Sequence, residues 1–181
     1  MDFGLFFLMQ RDEQWAEQAV YDGDLAQMLA AESLGYHSVW IAEHHFNDYG
    51  LCPAPPVLAA FLAARTTTLR FGMGVSLLPL HHPVDLAEQL AVLDVVSGGR
   101  LEVGIGRGGT QQDYATFQSD RADSRARVEE GIALMPESLE SFPENRDRQR
   151  LIFARPLRLG VSHPALEPDF LAGADVGKRL A

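Results

Sequence analysis

The sequence predicts an α/β fold of the (β/α)8 TIM-barrel type, as an incomplete or shortened barrel of four to five β/α units. Four apolar segments alternate with four helical patterns, at a spacing of roughly 30 to 35 residues. The apolar segments are continuous, which is typical of parallel strands buried on both faces. Polar, aromatic and glycine residues come directly after these segments, where the ligands of such folds bind.

The first two units are predicted from a Phe-rich run and a Trp-containing run. Residues 3–8 form the first predicted strand, and a helical spacing of apolar residues begins at Leu25 and ends at Gly35. Residues 38–42 form the second predicted strand. Pro55 and Pro56 open an Ala-rich helix over residues 57–65, because proline suits the first turn of a helix.

The next two units have the same order. The third predicted strand lies within residues 69–78, and the helix after it begins at Pro83 and ends at Gly98. Residues 101–105 form the fourth predicted strand, residues 107–117 a loop and residues 121–135 a helix.

The regular pattern ends near residue 135. Prolines and a charged run over residues 144–150 interrupt the remainder of the chain, so we divide it into an N-terminal half-barrel, residues 1–135, and an irregular tail, residues 136–181. The 181 residues are few for a closed barrel, which typically needs roughly 200 to 250 residues. A truncated barrel, a shortened variant fold and a reading-frame change are all compatible with this pattern.

Composition excludes several classes of function. The formal net charge of −10 argues against a nucleic-acid partner or an anionic membrane surface. One cysteine, Cys52, excludes an internal disulfide and a Cys-based metal site. No basic leader or long apolar run is present, so we expect a cytoplasmic protein.

Candidate site residues are those that come after the predicted strands. Glu43, His44 and His45 lie after the second strand, and His81 and His82 lie after the third. Imidazole binds Zn and Fe, but adjacent histidines in an extended segment point in opposite directions. We therefore expect no metal.

The segment after the fourth strand is rich in glycine. Residues 104–109 fit the pattern G-x-G-x-x-G, but they come after the fourth strand and no helix is predicted at Gly109, which argues against a dinucleotide fold. A backbone thinned for a flat ring, with Arg107 as a fixed positive charge, is the better interpretation. A flexible turn is the alternative. Arg125 opens the last predicted helix and suits an anion such as phosphate, or is a surface residue.

Together these segments resemble the bacterial luciferase-like superfamily of flavin-dependent monooxygenases. The resemblance covers roughly residues 1–135, and its joint pattern is specific although each piece is weak. The matching segments are residues 1–4, 35–46, 78–84, 97–108 and 124–125.

The resemblance implies a barrel enzyme that uses reduced FMN, or in some branches a deazaflavin, together with molecular oxygen and a small-molecule substrate. A flavin reductase would donate the reduced flavin. A homodimer would pack through the helices after strands 2 and 3, where Ala59, Ala60, Ala63 and Ala64 would allow close contact.

The resemblance also implies roles for individual residues. His44 matches a catalytic acid/base group, as suits an imidazole that titrates near neutral pH. Gly74-Val75 matches a non-proline cis peptide beside the ring. We assign His45 and His82 to substrate binding. The flavin-contacting set is Glu43, Gly74, Val75, Gly106, Arg107, Gly108 and Arg125.

Two alternatives to an active monooxygenase remain at this point. Family members bind much of the flavin phosphate with the second half of the barrel, which this sequence does not resemble. The chain would then be a flavin-binding or dimerising barrel fragment without catalytic activity, or a remnant that is stable only with a partner.

Overall fold

The computed structural model describes residues 1–140, with side chains described as far as residue 135. The predicted alternation of strands and helices is confirmed. The elements are β1 (Gly4–Phe7), α1 (Glu17–Ser33), β2 (Ser38–Ile41), α2 (Pro55–Ala63), β3 (Arg70–Leu77), a short 3-10 helix (Leu78–Leu80), α3 (Pro83–Ser97), β4 (Leu101–Gly106), α4 (Gln111–Thr116) and α5 (Ser124–Glu140).

The four strands form one parallel sheet in the order β1-β2-β3-β4. Each strand thus pairs with its neighbour in sequence. After each strand, the connecting segment returns the chain to the amino end of the sheet, where the next parallel strand begins. This is the arrangement of one half of a (β/α) barrel, which the sequence predicted. The register between β3 and β4 shifts between Met73 and Ser76, next to the carboxyl end of the sheet.

One face of the sheet is packed under the helices and forms the core. The buried strand residues on this face are Val39, Ile41, Phe71, Met73, Leu101 and Val103. They alternate along each strand with residues of the opposite face, as the pleat requires. Helices α1, α2 and α3 contribute Met28, Ala31, Ala59, Leu62, Leu86, Leu90 and Leu93 to the same core.

The opposite face, which would line the inside of a barrel, is only partly covered by the described residues. Phe6 on β1 is 58% exposed. The predicted burial of the first strand on both faces is therefore wrong for residues 1–140, because the described residues leave the inner face of β1 largely uncovered. Trp40 lies over Gly72, where an added Cβ would be 2.1 Å from the indole.

Three boundaries differ from the sequence prediction. Residues 107–117, predicted as a loop, contain α4, whose single turn and a half is too short to show a periodic pattern. Its buried Tyr114 anchors the helix. The last predicted helix starts at Ser124 and continues to Glu140, so the proposed domain boundary at residue 135 falls inside it. The remainder of the predicted tail lies outside the described residues.

The amino end of the sheet is held by two charged side chains. The Glu32 carboxylate accepts the backbone N–H groups of Thr67 and Leu69 at 2.8 and 2.9 Å, and that of Thr68 as well. The hydrogen bonds from the backbone of Thr68 and Leu69 lower the pKa of Glu32 to about 2. The Arg100 guanidinium donates to the carbonyl oxygens of Ala63 and Leu69 at 2.9 and 3.0 Å. These contacts fix the end opposite to the candidate site.

The described residues include no helix that is both long enough and apolar enough to cross a bilayer.

Candidate active site

The candidate site lies at the carboxyl ends of β2, β3 and β4. Glu43, His44 and His45 begin two positions after the last residue of β2, and His81 comes after β3 and the 3-10 helix. Parallel strands bring their carboxyl ends to one edge, which is the ligand-binding edge of barrel enzymes. The sequence prediction of this location agrees with the structure.

Glu43 is the centre of a buried hydrogen-bond network. Its Oε1 lies 2.9 Å from Nε2 of His45 and 2.7 Å from Nε2 of His81, and its Oε2 accepts the backbone N–H of Leu77 at 3.0 Å. Burial alone would raise the pKa of Glu43, but the two imidazoles and the Leu77 N–H hold that pKa below its ordinary value. Glu43 is therefore a buried carboxylate ion that ties β2 to β3.

The flavin contact predicted for Glu43 stays a prediction. Both of its carboxylate oxygens face protein groups, and the whole residue is buried. In this arrangement Glu43 supports neighbouring side chains. His45, predicted to bind substrate, is likewise buried, with its ring 4.9 Å from that of Phe117 in edge-on geometry.

His44 is half-buried, and its imidazole contacts other residues than that of His45 does. Its ring meets that of Tyr49 edge-on at 5.0 Å, and an added Cβ at Gly50 would lie 2.6 Å from the imidazole. The backbone N–H of His44 donates to the carbonyl of Cys52 at 3.0 Å. The glycine at position 50 is thus needed for the imidazole to fit.

The electrostatic surroundings of His44 favour its neutral form. Burial lowers the pKa of His44 below its ordinary value, the charge of Asp113 opposes this, and His45 adds to it. A neutral imidazole at neutral pH can accept a proton from a bound molecule. This is the chemistry expected of a general base.

The cis peptide bond predicted between Gly74 and Val75 is present in β3. The glycines of β4 lie against this segment. An added Cβ at Gly106 would be 2.3 Å from Cγ2 of Val75, and one at Gly104 would be 2.6 Å from the carbonyl oxygen of Met73. Two glycines of the pattern over residues 104–109 therefore lie within β4 and allow β3 and β4 to approach closely.

The segment after β4 is fixed by α4. The hydroxyl of Tyr114 donates to the backbone carbonyl of Arg107. Gly108 has a positive φ of 72°, a conformation that favours glycine. The Arg107 side chain is exposed at this edge, so its positive charge is accessible to a ligand. Its contact with a flavin remains a prediction.

Two further candidates, Arg125 and His82, are exposed. The side chain of Arg125 is 68% exposed and pairs with Glu129 at 3.4 Å along α5. His82 is exposed at the residue that precedes α3. Their predicted roles in flavin and substrate binding stay predictions.

Sequence reasoning did not assign a role to His81 or to Asp113. His81 was recognised as a strand-end residue, but its bond to Glu43 spans 38 positions and no local pattern reveals it. Asp113 lies on α4, which the sequence did not predict. It is buried, and its Oδ1 has no hydrogen-bond partner, as is also true of Oγ of Ser76. Buried polar atoms without partners are uncommon and indicate a place for a ligand or water.

Within the described part of the chain, no cluster of three or more His, Cys, Asp or Glu side chains could hold a metal ion. The imidazoles of His45 and His81 instead form hydrogen bonds with the same carboxylate oxygen of Glu43.

Comparison with known proteins adds a family match. A family model described as luciferase-like monooxygenase matches residues 1–164. The alkanal monooxygenase alpha chain of Photorhabdus luminescens is 36% identical over 129 residues, which are 71% of this chain and 36% of that protein.

Two solved structures share the fold. Monooxygenase RslO1 from Streptomyces bottropensis has a TM-score of 0.72 at 34% identity, over 76% of this chain and 42% of that one. The oxygenating constituent of 3,6-diketocamphane monooxygenase from Pseudomonas putida, in complex with FMN, has a TM-score of 0.72 at 25% identity, over 77% and 40%. This chain therefore spans about two fifths of the length of these proteins.

Proposed function

The chain belongs to the luciferase-like monooxygenase family, and we propose that it acts as a flavin-dependent monooxygenase that uses reduced FMN and molecular oxygen. The observation that carries this proposal is His44, a half-buried imidazole of lowered pKa at the carboxyl end of β2. It lies one strand away from the cis peptide bond at Gly74-Val75. The substrate is a small organic molecule such as an aldehyde.

The residues present fit part of a flavin site. The buried, unpartnered Oγ of Ser76 and Oδ1 of Asp113 are near the strand ends, and Arg107 offers an exposed positive charge. Reduced flavin, when bound, would supply the two electrons that activate oxygen. Gly74, Val75, Gly106 and Gly108 would border the ring, and Arg107 and Arg125 would face its negatively charged groups.

The residues of this chain would then have separate tasks. His44 would accept and return a proton at a ring nitrogen. Glu43 would hold the segment after β2 in place through His45, His81 and Leu77. Phe46 and Phe117, which pack on His45, would present apolar surface to the substrate and limit the entry of water.

The partners proposed here are a flavin reductase and a second copy of the chain. The diketocamphane relative is described as an oxygenating constituent, which supports a separate supplier of reduced flavin. For the homodimer, α2 and α3 expose Val57, Phe61, Val92, Val95 and Val96. Ala59 and Ala63, which the sequence suggested for this contact, are buried in the core of the same chain instead. A cytoplasmic location remains part of the proposal.

A second candidate function is flavin binding without catalysis. The partly open inner face of the sheet favours it, since Phe6 is 58% exposed where a complete barrel would be closed. Such a fragment would hold a flavin but leave the ring accessible to water. The reaction with oxygen would then not lead to oxidation of a substrate.

The test is a comparison of binding and turnover with the 181-residue chain. Reduced FMN is titrated anaerobically, oxygen is then admitted with an aliphatic aldehyde, and the carboxylic acid product is measured. We expect His44→Ala to bind flavin but to lose most turnover, by roughly 10²-fold or more. His37→Ala, at the exposed amino end of β2, is the matched control. Unchanged turnover in His44→Ala would remove His44 from the mechanism, and binding without oxidation by the unaltered chain would select the second function.

A further inference from the structure

A single carboxylate oxygen is shared by two imidazoles. Oε1 of Glu43 lies 2.9 Å from Nε2 of His45 and 2.7 Å from Nε2 of His81. An ionised carboxylate only accepts hydrogen bonds, so each Nε2 must carry a hydrogen. Each imidazole is therefore either the neutral tautomer with its hydrogen on Nε2 or the imidazolium ion.

The buried carboxylate requires one positive charge beside it. The side chain of Glu43 is only 2% exposed, and an isolated ion at such a place is strongly disfavoured. One proton on one of the two imidazoles makes the cluster neutral, whereas a second proton would leave a buried excess of positive charge. His45 and His81 thus compete for one proton.

His81 is the more favourable place for that proton. Its side chain is 24% exposed and that of His45 is 5% exposed, so water offsets more of the cost of a charge on His81. Burial would lower the pKa of His81, but the hydrogen bond to Glu43 and the charges of Glu43 and Asp85 raise it above its ordinary value. The His45 ring is instead packed between Phe46 and Phe117.

Other titratable or charged groups near the cluster are His82, Arg127, His44 and the buried Asp113 on α4, whose charge acts on His44. His82 adjoins His81 but is exposed. Arg127 on α5 donates to the Pro79 carbonyl at 3.3 Å, two residues before His81. His44 adjoins His45, and burial lowers its pKa.

We propose that His81 is a positioning residue that holds the proton attracted by Glu43 and so keeps His45 neutral, with a hydrogen on Nε2 and an acceptor lone pair on Nδ1. The effect on catalysis rests on the proposed function, because it acts through His44. A positive charge on His45 lowers the pKa of His44, so a neutral His45 leaves His44 the stronger base.

The first test is an NMR titration of the imidazole nitrogens in the 15N-labelled 181-residue chain, without flavin. The exposed His37, at the amino end of β2, serves as internal reference. We expect to find His81 as the imidazolium ion while His45 is still in the neutral Nε2–H form. Protonation of His45 before His81 would overturn the proposal, and this result needs no variant.

The second test is His81→Gln, which keeps an N–H donor for Glu43 but cannot be protonated. The proton should then move to His45, so we expect its ring-nitrogen signals to shift toward those of an imidazolium ion. The His44 titration should shift downward. His37→Gln is the matched control and should change neither. A folded His81→Gln variant with an unshifted His45 would contradict the proposal.

These results are separable from the flavin proposal. A shifted His45 in a chain that binds no FMN would leave the proton assignment intact and remove the proposed function. An unshifted His45 in a chain that binds and uses FMN would remove the proton assignment and leave the proposed function intact.

Discussion

Val75 occupies the space that a side chain at Gly106 would need. A Cβ added at Gly106 would lie 2.3 Å from Cγ2 of Val75 and 3.2 Å from its Cβ. Val75 comes directly after the cis peptide bond, and Gly106 ends β4, so the two residues fix how closely these strands approach at the candidate site.

Gly106→Ala should therefore destabilise the chain and weaken flavin binding. We expect a loss of about 1–3 kcal/mol in the free energy of unfolding, because the β-branched Val75 cannot move away easily. Chemical denaturation of the variant measures this. Gly109→Ala is the control, since a Cβ there meets nothing within 4 Å. Combination with Val75→Ala should recover part of the loss, and strict additivity of the two losses would contradict this explanation.

Tyr114→Phe should loosen the segment that carries Arg107. The change removes the hydroxyl that donates to the Arg107 carbonyl but keeps the buried ring. We expect a stability loss of about 1 kcal/mol together with weaker binding of FMN, because Arg107 would be less well positioned. Isothermal titration with FMN checks this. Tyr36→Phe, which alters a half-buried tyrosine at the amino end, should leave FMN affinity unchanged, and equal effects of the two variants would argue against a role for α4 in the site.

Glu32 should make stability depend on pH in the acidic range. Its pKa is lowered to about 2 in the folded chain from an ordinary value of 4.5. A depressed folded pKa means that the contribution is complete above about pH 4.5 and is lost as the pH falls toward 2. Urea unfolding at several pH values should show this slope.

The matching variant is Glu32→Ala, which leaves the N–H groups of Thr67, Thr68 and Leu69 without their acceptor. We expect a loss of about 1–2 kcal/mol at neutral pH, limited because water can replace part of the contact. Glu88→Ala, at an exposed position on α3, should cost less. The explanation would fail if the two variants lost the same stability. It would also fail if Glu32→Ala kept the dependence of stability on acidic pH that the unaltered chain shows.

Cys52 should be unreactive in the folded chain. It is 1% exposed, and burial raises the pKa of its thiol to about 12. Labelling with a thiol reagent at pH 8 should be slow in buffer and complete in denaturant. Rapid labelling of the native chain would show that the segment between β2 and α2 opens readily.

The sequence identified the parts of the fold that have a local signature. The four apolar runs, the prolines at the start of α2 and α3 and the glycine at the end of α3 all appear in the structure at or near their predicted places. Helix α4 was missed because six residues are too few for a periodic pattern. The exposure of Phe6 could not be predicted either, since it depends on which strands close the inner face.

The candidate site was predicted in location but not in its hydrogen bonding. The strand-end rule places Glu43, His44 and Arg107 at one edge from sequence alone. The sharing of Glu43 by His45 and His81 is different, because it joins residues on two strands through side-chain geometry. The nearness of Asp113 to His44 depends in turn on the unpredicted α4.

The most direct test of the proposed function is the fate of labelled oxygen. The 181-residue chain is given reduced FMN, ¹⁸O₂ and an aliphatic aldehyde, and the acid product is analysed by mass spectrometry. A monooxygenase transfers one oxygen atom to the substrate and releases the other as water, so we predict a carboxylic acid with one ¹⁸O atom. Product without the label, or bound flavin that is oxidised with no acid formed, would contradict it.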